Sequence, residues 1–315
     1  MGQDAPVPNH STAQIEARTA APADPSRPLQ PTHRRPRLRG RRWFVWLIGC
    51  VLGVLLLALL ACALVGGLVV GIALKLANEV TVTTTTTQSF AVNGFPSLNI
   101  QNASGSLQVQ PGPAGVVGVQ ITRSARDTSQ SAARADLDGI TVNTTQMGDM
   151  IAISTDFPDG SLFASSSSVN LLLTVPPNTT IAADVTAGDI QINGISGLFE
   201  VTGGAGDITL HDVALADGSR IHMTMGSVTM QGAVMANAAV DISVSTGDVS
   251  LQLPADTAAQ LDARTNLGAI HVSGWPMPIT RINSLGTDAE GPLGAQATGA
   301  IHIRVDSGDI TVSQI

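Results

Sequence analysis

From Phe90 onward, apolar and polar residues alternate in short runs: Leu98-Asn-Ile100, Leu107-Gln-Val109, Val117-Gly-Val119-Gln-Ile121, Ile140-Thr-Val142 and Ile151-Ala-Ile153. A period of two sends alternate side chains to opposite faces, which predicts strands with one buried face. In the second half one phrase recurs, a glycine, a small or acidic residue, then an alternating apolar pair. It reads Gly188-Asp-Ile-Gln-Ile, Gly206-Asp-Ile-Thr-Leu, Gly226-Ser-Val-Thr-Met, Gly247-Asp-Val-Ser-Leu, Gly268-Ala-Ile-His-Val, Gly299-Ala-Ile-His-Ile and Gly308-Asp-Ile-Thr-Val. The first five glycines are 18, 20, 21 and 21 residues apart. A period near ~20 marks stacked repeats, each unable to bury its apolar face alone.

Gly188, Gly206, Gly226, Gly247, Gly268, Gly299 and Gly308 are therefore expected at the corners of successive coils. Between them lie second alternating runs, Ile221-His-Met-Thr-Met225, Val240-Asp-Ile-Ser-Val244 and Leu261-Asp-Ala263, so each coil holds at least two strands. The register predicts Ile208, Leu210, Val249, Leu251, Ile270 and Val272 inside, with Thr209, Ser250 and His271 outside. Val175-Pro-Pro-Asn-Thr179 and Leu253-Pro-Ala-Asp-Thr257 echo one another as turns. The Pro- and Gly-rich stretch 274–298 breaks the period and reads as an inserted loop. Helical signals are weak apart from a short stretch around Ser131 to Leu137. The fold expected is all-β, a β-solenoid or β-helix-like domain over 90–315; a β-sandwich is the rival, but its strands need not resemble one another.

Upstream, Trp43 to Leu74 contains no charged residue over 32 positions, more than the ~20 a helix needs to span a bilayer. The six arginines from Arg34 to Arg42 precede it, so the positive-inside rule puts 1–42 in the cytoplasm and 76–315 outside. Residues 43–74 are read as an uncleaved signal-anchor helix. A cleaved signal peptide or a lipobox at Cys50 or Cys62 are the competing readings. Gly49, Gly53, Gly67 and Gly71 fall in one strip of that helix, a small-residue face on which two helices can approach to form a homodimer. Residues 1–42, with seven prolines and no apolar periodicity, read as a disordered tail, and 75–89 as a Thr-rich stalk or entry strand.

Charge divides the same way. The chain carries a net −8, split as +5 over 1–42 and −14 over 76–315, where there is no lysine. Such a domain lacks the cations that displace phosphate counterions, so nucleic acid is excluded as a partner. Six Phe, three Trp and no Tyr leave an aliphatic core. Cys50 and Cys62 are the only cysteines, so no disulfide is expected in the outer domain.

The search for chemistry yields no catalytic residue, cofactor site or metal site. Asp149, Asp189, Asp207, Asp248 and Asp309 each follow a glycine, and a calcium ladder is weighed against turn capping, which is preferred. The histidines are isolated, and no nucleophile elbow or phosphate loop is present. Aromatic platforms for sugar stacking are nearly absent, Trp275 being the only tryptophan of the outer domain. Asn102, Asn143 and Asn178 form glycosylation sequons that matter only in a eukaryotic secretory route.

The glycine-acid-apolar phrases, the Leu-Pro-x-Asp-Thr turn and the terminal Val305-Asp-Ser-Gly-Asp-Ile-Thr-Val312 together resemble the bacterial putative-adhesin family of unknown function over about 95–315. The resemblance implies an envelope protein with a β-solenoid-like repeat domain, often behind a membrane segment, and it brings no established catalytic residues. The function expected is a non-catalytic binding or structural module of the cell envelope. Its expected partners are membrane lipid and an envelope protein or glycan. An accessory sensor signalling through its anchor and a β-helix carbohydrate-active enzyme are the alternatives.

Overall fold

The computed structural model describes residues 79–157, 167–275, 279–282, 286–294 and 297–315. Contacts divide the chain into Met1–Gly67 and Leu68–Ile315, and all described residues belong to the second unit. The first elements are β1 (Val80–Ala91), β2 (Ser97–Asn102), β3 (Leu107–Pro111), β4 (Val116–Asp127) and the helix α1 (Gln130–Gly139). Next come β5 (Thr141–Met147), β6 (Met150–Asp156), β7 (Ser168–Val175), β8 (Thr180–Ala187), β9 (Ile190–Asn193) and the short β10 (Ser196–Gly197). The regular middle is β11 (Phe199–Ala205), β12 (Ile208–Leu215), β13 (Ser219–Met225), β14 (Val228–Val234), β15 (Ala239–Thr246) and β16 (Val249–Leu253). The chain closes with β17 (Ala259–Leu267), β18 (Ile270–Val272), β19 (Ile279–Ile282), β20 (Thr287–Leu293), β21 (Gly299–Ser307) and β22 (Ile310–Gln314).

Among the described residues the fold is all-β with one short helix. Strands alternate between two sheets, each coil giving one strand to either sheet, and equivalent strands of neighbouring coils pair in parallel. Sheet A runs β1-β4-β7-β3-β9-β12-β14-β16-β22-β18, with β10 beside β12. Sheet B runs β19-β20-β17-β21-β15-β13-β11-β8-β2-β6-β5. Stack order therefore departs from chain order at both ends. Coil β2–β3 sits between coils β6–β7 and β8–β9, and the C-terminal coil β21–β22 sits between β15–β16 and β17–β18. Antiparallel strands finish the stack, β1 and β4 on sheet A, β5 at one end of sheet B and β19–β20 at the other.

The core lies between the sheets and is filled by the alternating aliphatics. Ile208, Leu210, Val249 and Leu251 are fully buried, as the register requires, while Thr209 and Ser250 are partly exposed and His271 exposed. Ile270 and Val272 pack against the core but stay half-buried, because β18 is the last strand of its sheet. α1 lies against β4 and β1, burying Ala133 and Leu137. Its first turn is capped by the Ser129 side chain, which accepts from Ala132 N–H at 3.2 Å.

One open alternative is decided and one expectation corrected. The stretch 75–89, read as a stalk or an entry strand, enters the sheet as β1, which pairs with β4 along its whole length from Val80 to Ala91. Threonine alternation carries no apolar stripe, so its partner strand is what fixes it. The stretch 274–298 read as a loop holds β19 and β20, which extend sheet B antiparallel from β17. Trp275 is buried at 7% exposure against the core. The Asn102 side chain is buried as well. It donates to the Val169 carbonyl at 2.9 Å and accepts from Thr155 Oγ1 at 3.0 Å, so that sequon is not open to modification.

Candidate binding surface and corner ladder

Seven of the coils pass from sheet B to sheet A at a glycine with φ between +120° and +150°: Gly105, Gly188, Gly206, Gly226, Gly247, Gly308 and Gly268 in stack order. Their close approach is the reason for glycine. A Cβ on Gly226 would fall onto the Gly206 carbonyl oxygen, and the same relation links each glycine to the one in the preceding coil. Gly105 joins the ladder although it stands far from the repeat in sequence. Its phrase, Gly105-Ser-Leu-Gln-Val109, is the signal that could have found it.

Gly299 does not belong to this ladder. It opens β21 in sheet B, outside the left-handed region, and a Cβ there would meet the Ala238 carbonyl oxygen at 2.8 Å. Its phrase matches because alternation after a glycine does not say which sheet the strand enters. Gly49, Gly53, Gly67 and Gly71, expected on one face of a membrane helix, lie outside the described residues.

Where an aspartate follows the corner glycine, its side chain staples the next coil. Asp189 Oδ1 accepts from Asp207 N–H at 3.0 Å, and Asp207 Oδ1 from Ser227 N–H at 2.8 Å. Asp248 Oδ1 accepts from Asp309 N–H at 2.8 Å, and Asp309 Oδ1 from Ala269 N–H at 2.8 Å. These carboxylates satisfy corner backbone donors, which is turn chemistry. Asp149 stands elsewhere, accepting from Asn93 N–H at 2.8 Å beside the β5–β6 turn. On the return from sheet A to sheet B, hydroxyls do the equivalent work. Thr179, Ser219 and Thr257 donate to Pro176, Ala216 and Pro254 carbonyls at 2.6, 2.7 and 2.7 Å.

The two outer faces differ in charge. On sheet A the register aligns Gln120, Leu172, Gln108, Gln191, Thr209, Thr229, Ser250, Thr311 and His271 in one row across the strands. A second row holds Asn193, His211, Gln231, Gln252 and Ser313. Neither row contains Asp, Glu, Lys or Arg. Asp212 flanks the second row at a β-bulge, with φ +52°, and lies 3.2 Å from His211.

Sheet B aligns Glu200, Arg220, Asp241, His302, Asp262 and Glu290 instead, with Asp184, His222, Arg304, Arg264 and Asp288 in the next row. Arg220 meets Glu200 at 3.3 Å and Arg264 meets Asp262 at 2.9 Å. The hydrogen bond and charge of Asp262 raise the Arg264 guanidinium above its ordinary range. The signs do not simply alternate, since Asp262 faces Glu290 and Arg264 faces Arg304 across the strands, so this face is charged and holds more acids than arginines. Among the described residues no group of three His, Cys, Asp or Glu side chains could hold a metal ion.

The sequence profile of one family matches residues 66–313, from just before the described region to the last strand. The chain belongs to the Toastrack DUF4097 family. Solved structures similar to it include a "putative cell adhesion protein" from Clostridium sporogenes, 11% identical with a TM-score of 0.43, covering 74% of this chain and 100% of that one. Another is a "putative adhesin" from Bacteroides fragilis, 14% identical with a TM-score of 0.32, covering 74% and 97%. A "putative lipid binding protein" from Parabacteroides distasonis is 12% identical with a TM-score of 0.24, covering 74% and 97%. These likenesses are too distant to say what a Toastrack chain of this sequence binds. No curated protein matches the chain. No helix among the described residues is long and apolar enough to cross a membrane; the run 43–74 lies outside them.

Proposed function

We propose that this protein is a membrane-anchored, extracytoplasmic module of the cell envelope that works by binding, without covalent chemistry. The apolar run 43–74 and the arginines before it support the anchor and its orientation, with the tail inside and the Toastrack domain outside. The observation that carries the binding role is the sheet A face. Its rows of amide and hydroxyl side chains repeat at the ~4.8 Å spacing of the strands, a rigid array of donors and acceptors without charge. Such an array suits a partner that is itself neutral and polar, an envelope glycan or an uncharged protein surface, since a charged partner would be desolvated without compensation.

The test immobilises residues 79–315, so that β1 is kept with β4, and presents envelope fractions and a glycan panel. Thr229→Arg and Gln231→Arg place charge at the centre of the sheet A face, and Ser243→Arg places it on sheet B. Capture lost with the first two and kept with the third supports the reading. Capture unaffected by either sheet A change removes it. Protease added to intact cells tests the topology separately: the outer domain should be cut and the tail spared.

A further inference from the structure

A strand at the edge of a sheet offers unpaired N–H and C=O groups to any other chain, and proteins blunt such edges with short strands, charge or proline. At one end of this stack the edges are short, three residues in β18 and four in β19. At the opposite end β1 closes sheet A with twelve residues and no charged residue or proline, Val-Thr-Val-Thr-Thr-Thr-Thr-Thr-Gln-Ser-Phe-Ala. One side of it pairs with β4 throughout, and no described strand lies on its other side. Thr83 to Thr87 are all exposed.

The order of residues along this edge points to its occupant. Reversed about Thr85, β1 matches itself: Thr83 faces Thr87, Thr84 faces Thr86, Thr81 faces Ser89 and Val80 faces Phe90. Only Val82 and Gln88 are unlike, and the Val82 side chain is turned partly into the core. An antiparallel strand pair with a two-fold axis at Thr85 sets each residue opposite its counterpart in this way. Cross-strand hydroxyl pairs and aromatic to β-branched pairs are favourable ones. The strand already makes one such contact on its inner side, Thr85 Oγ1 to Thr122 Oγ1 at 3.3 Å. The other edge at this end, β5, lacks the symmetry. Reversed about Thr144 it sets Thr141 against Met147 and Val142 against Gln146.

We infer that β1 pairs antiparallel with β1 of a second copy of this chain, with Thr85 at the two-fold axis, so that sheet A runs on through both molecules. A single strand pair is a small interface, and tethering two copies to one membrane raises their effective concentration. That tether belongs to the proposed anchor; the pairing rests on β1 alone.

The full chain, with Cys50→Ser and Cys62→Ser, is expressed and single cysteines are placed by Thr83→Cys, Thr84→Cys, Thr85→Cys, Thr86→Cys and Thr87→Cys. Disulfide-linked dimer is measured in the membrane and soluble fractions after mild oxidation. Directly opposed residues have Cβ atoms ~4.5–5.5 Å apart and diagonal neighbours ~7–8 Å, so dimer should peak at position 85 and fall at 84 and 86. Positions 83 and 87 should give about tenfold less, being further from their own copies. In the Thr85→Cys chain, Thr83→Lys with Thr87→Lys should abolish the peak by opposing like charges, and Thr83→Lys with Thr87→Glu should restore it. A flat profile, as association through the membrane helix alone would give, overturns the pairing. So does a peak at another position, or no dimer, as pairing with a different protein's strand would give. Dimer of the expected profile found only in the soluble fraction would keep the strand pairing and remove the tether.

Discussion

Replacing Gly226 by alanine tests whether the corner ladder sets the spacing of the coils. Gly226 sits at φ +135°, and a Cβ there would fall onto the Gly206 carbonyl oxygen and 2.8 Å from its carbonyl carbon. Holding a side chain in such a region costs about 1–3 kcal/mol. Relieving the clash means parting two coils, which weakens Gly206 N–H to the Met225 carbonyl, 3.1 Å, and Ser227 N–H to Asp207, 2.8 Å. At about 0.5–1.5 kcal/mol for each bond, the total comes to about 2–6 kcal/mol. Gly148 is the control: its φ is +62°, but a Cβ there would meet nothing within 4 Å, so Gly148→Ala costs only about 1–2 kcal/mol. Thermal unfolding of the 75–315 segment should show a fall of about 10 °C for Gly226→Ala against a few degrees for Gly148→Ala. Equal losses would mean that backbone strain alone matters and that the coils are not held at contact distance.

Three further outcomes are expected. Ile208→Asp buries an unpaired charge at a site with no exposure and should destabilise by several kcal/mol, roughly, whereas Thr209→Asp should change urea stability little; equal effects would refute the period-two register. Asp207→Asn with Asp248→Asn should leave the melting temperature nearly unchanged, since the amide oxygen can accept the same N–H bonds, and a chelator should not move it; a calcium-dependent rise lost in the double variant would make the acidic corners a metal site. Truncation before Gly299 should abolish cooperative unfolding rather than fray one end, because β21 pairs with both β15 and β17.

The strands and their inward faces were legible because alternation alone determines them: Ile208, Leu210, Val249 and Leu251 could be placed from sequence and are buried. Six of the seven expected corners sit in the glycine ladder. Gly299 was misplaced because its phrase is locally the same while its backbone is extended into sheet B. Gly105 was missed because its coil is separated from its stack neighbour, Gly188, by β4, α1 and three more strands. The β-branched run Thr83 to Thr87 was legible as extended chain, an entry strand or a stalk, but with no apolar face nothing local chose between them, and pairing with β4 does. The asymmetry between the outer faces was hidden for a different reason. Charge is counted along a sequence, but the neutral rows exist only once the register sets Thr209, Thr229 and Ser250 side by side.

The coil order carries the remaining lesson about how this sequence holds itself together. A repeat stack laid down in chain order would end on its C-terminal coil, which could fray without disturbing the rest. Here β21 and β22 are inserted between coils made earlier in the chain, and β17–β18 with the β19–β20 extension lies beyond them. The outermost coil is joined to the body of the stack only through the last residues of the chain. Val305 to Val312, one of the stretches that carry the family resemblance, thus lies where both sheets depend on it: Ile310 pairs with Val249 on one side and Ile270 on the other. Asp309 repeats the arrangement in side-chain bonds, its own N–H held by Asp248 and its carboxylate holding Ala269. A terminal segment placed as an interior coil locks that end of the stack, as α1 covers the other, and leaves the outer faces and the β1 edge as the surfaces a partner can reach.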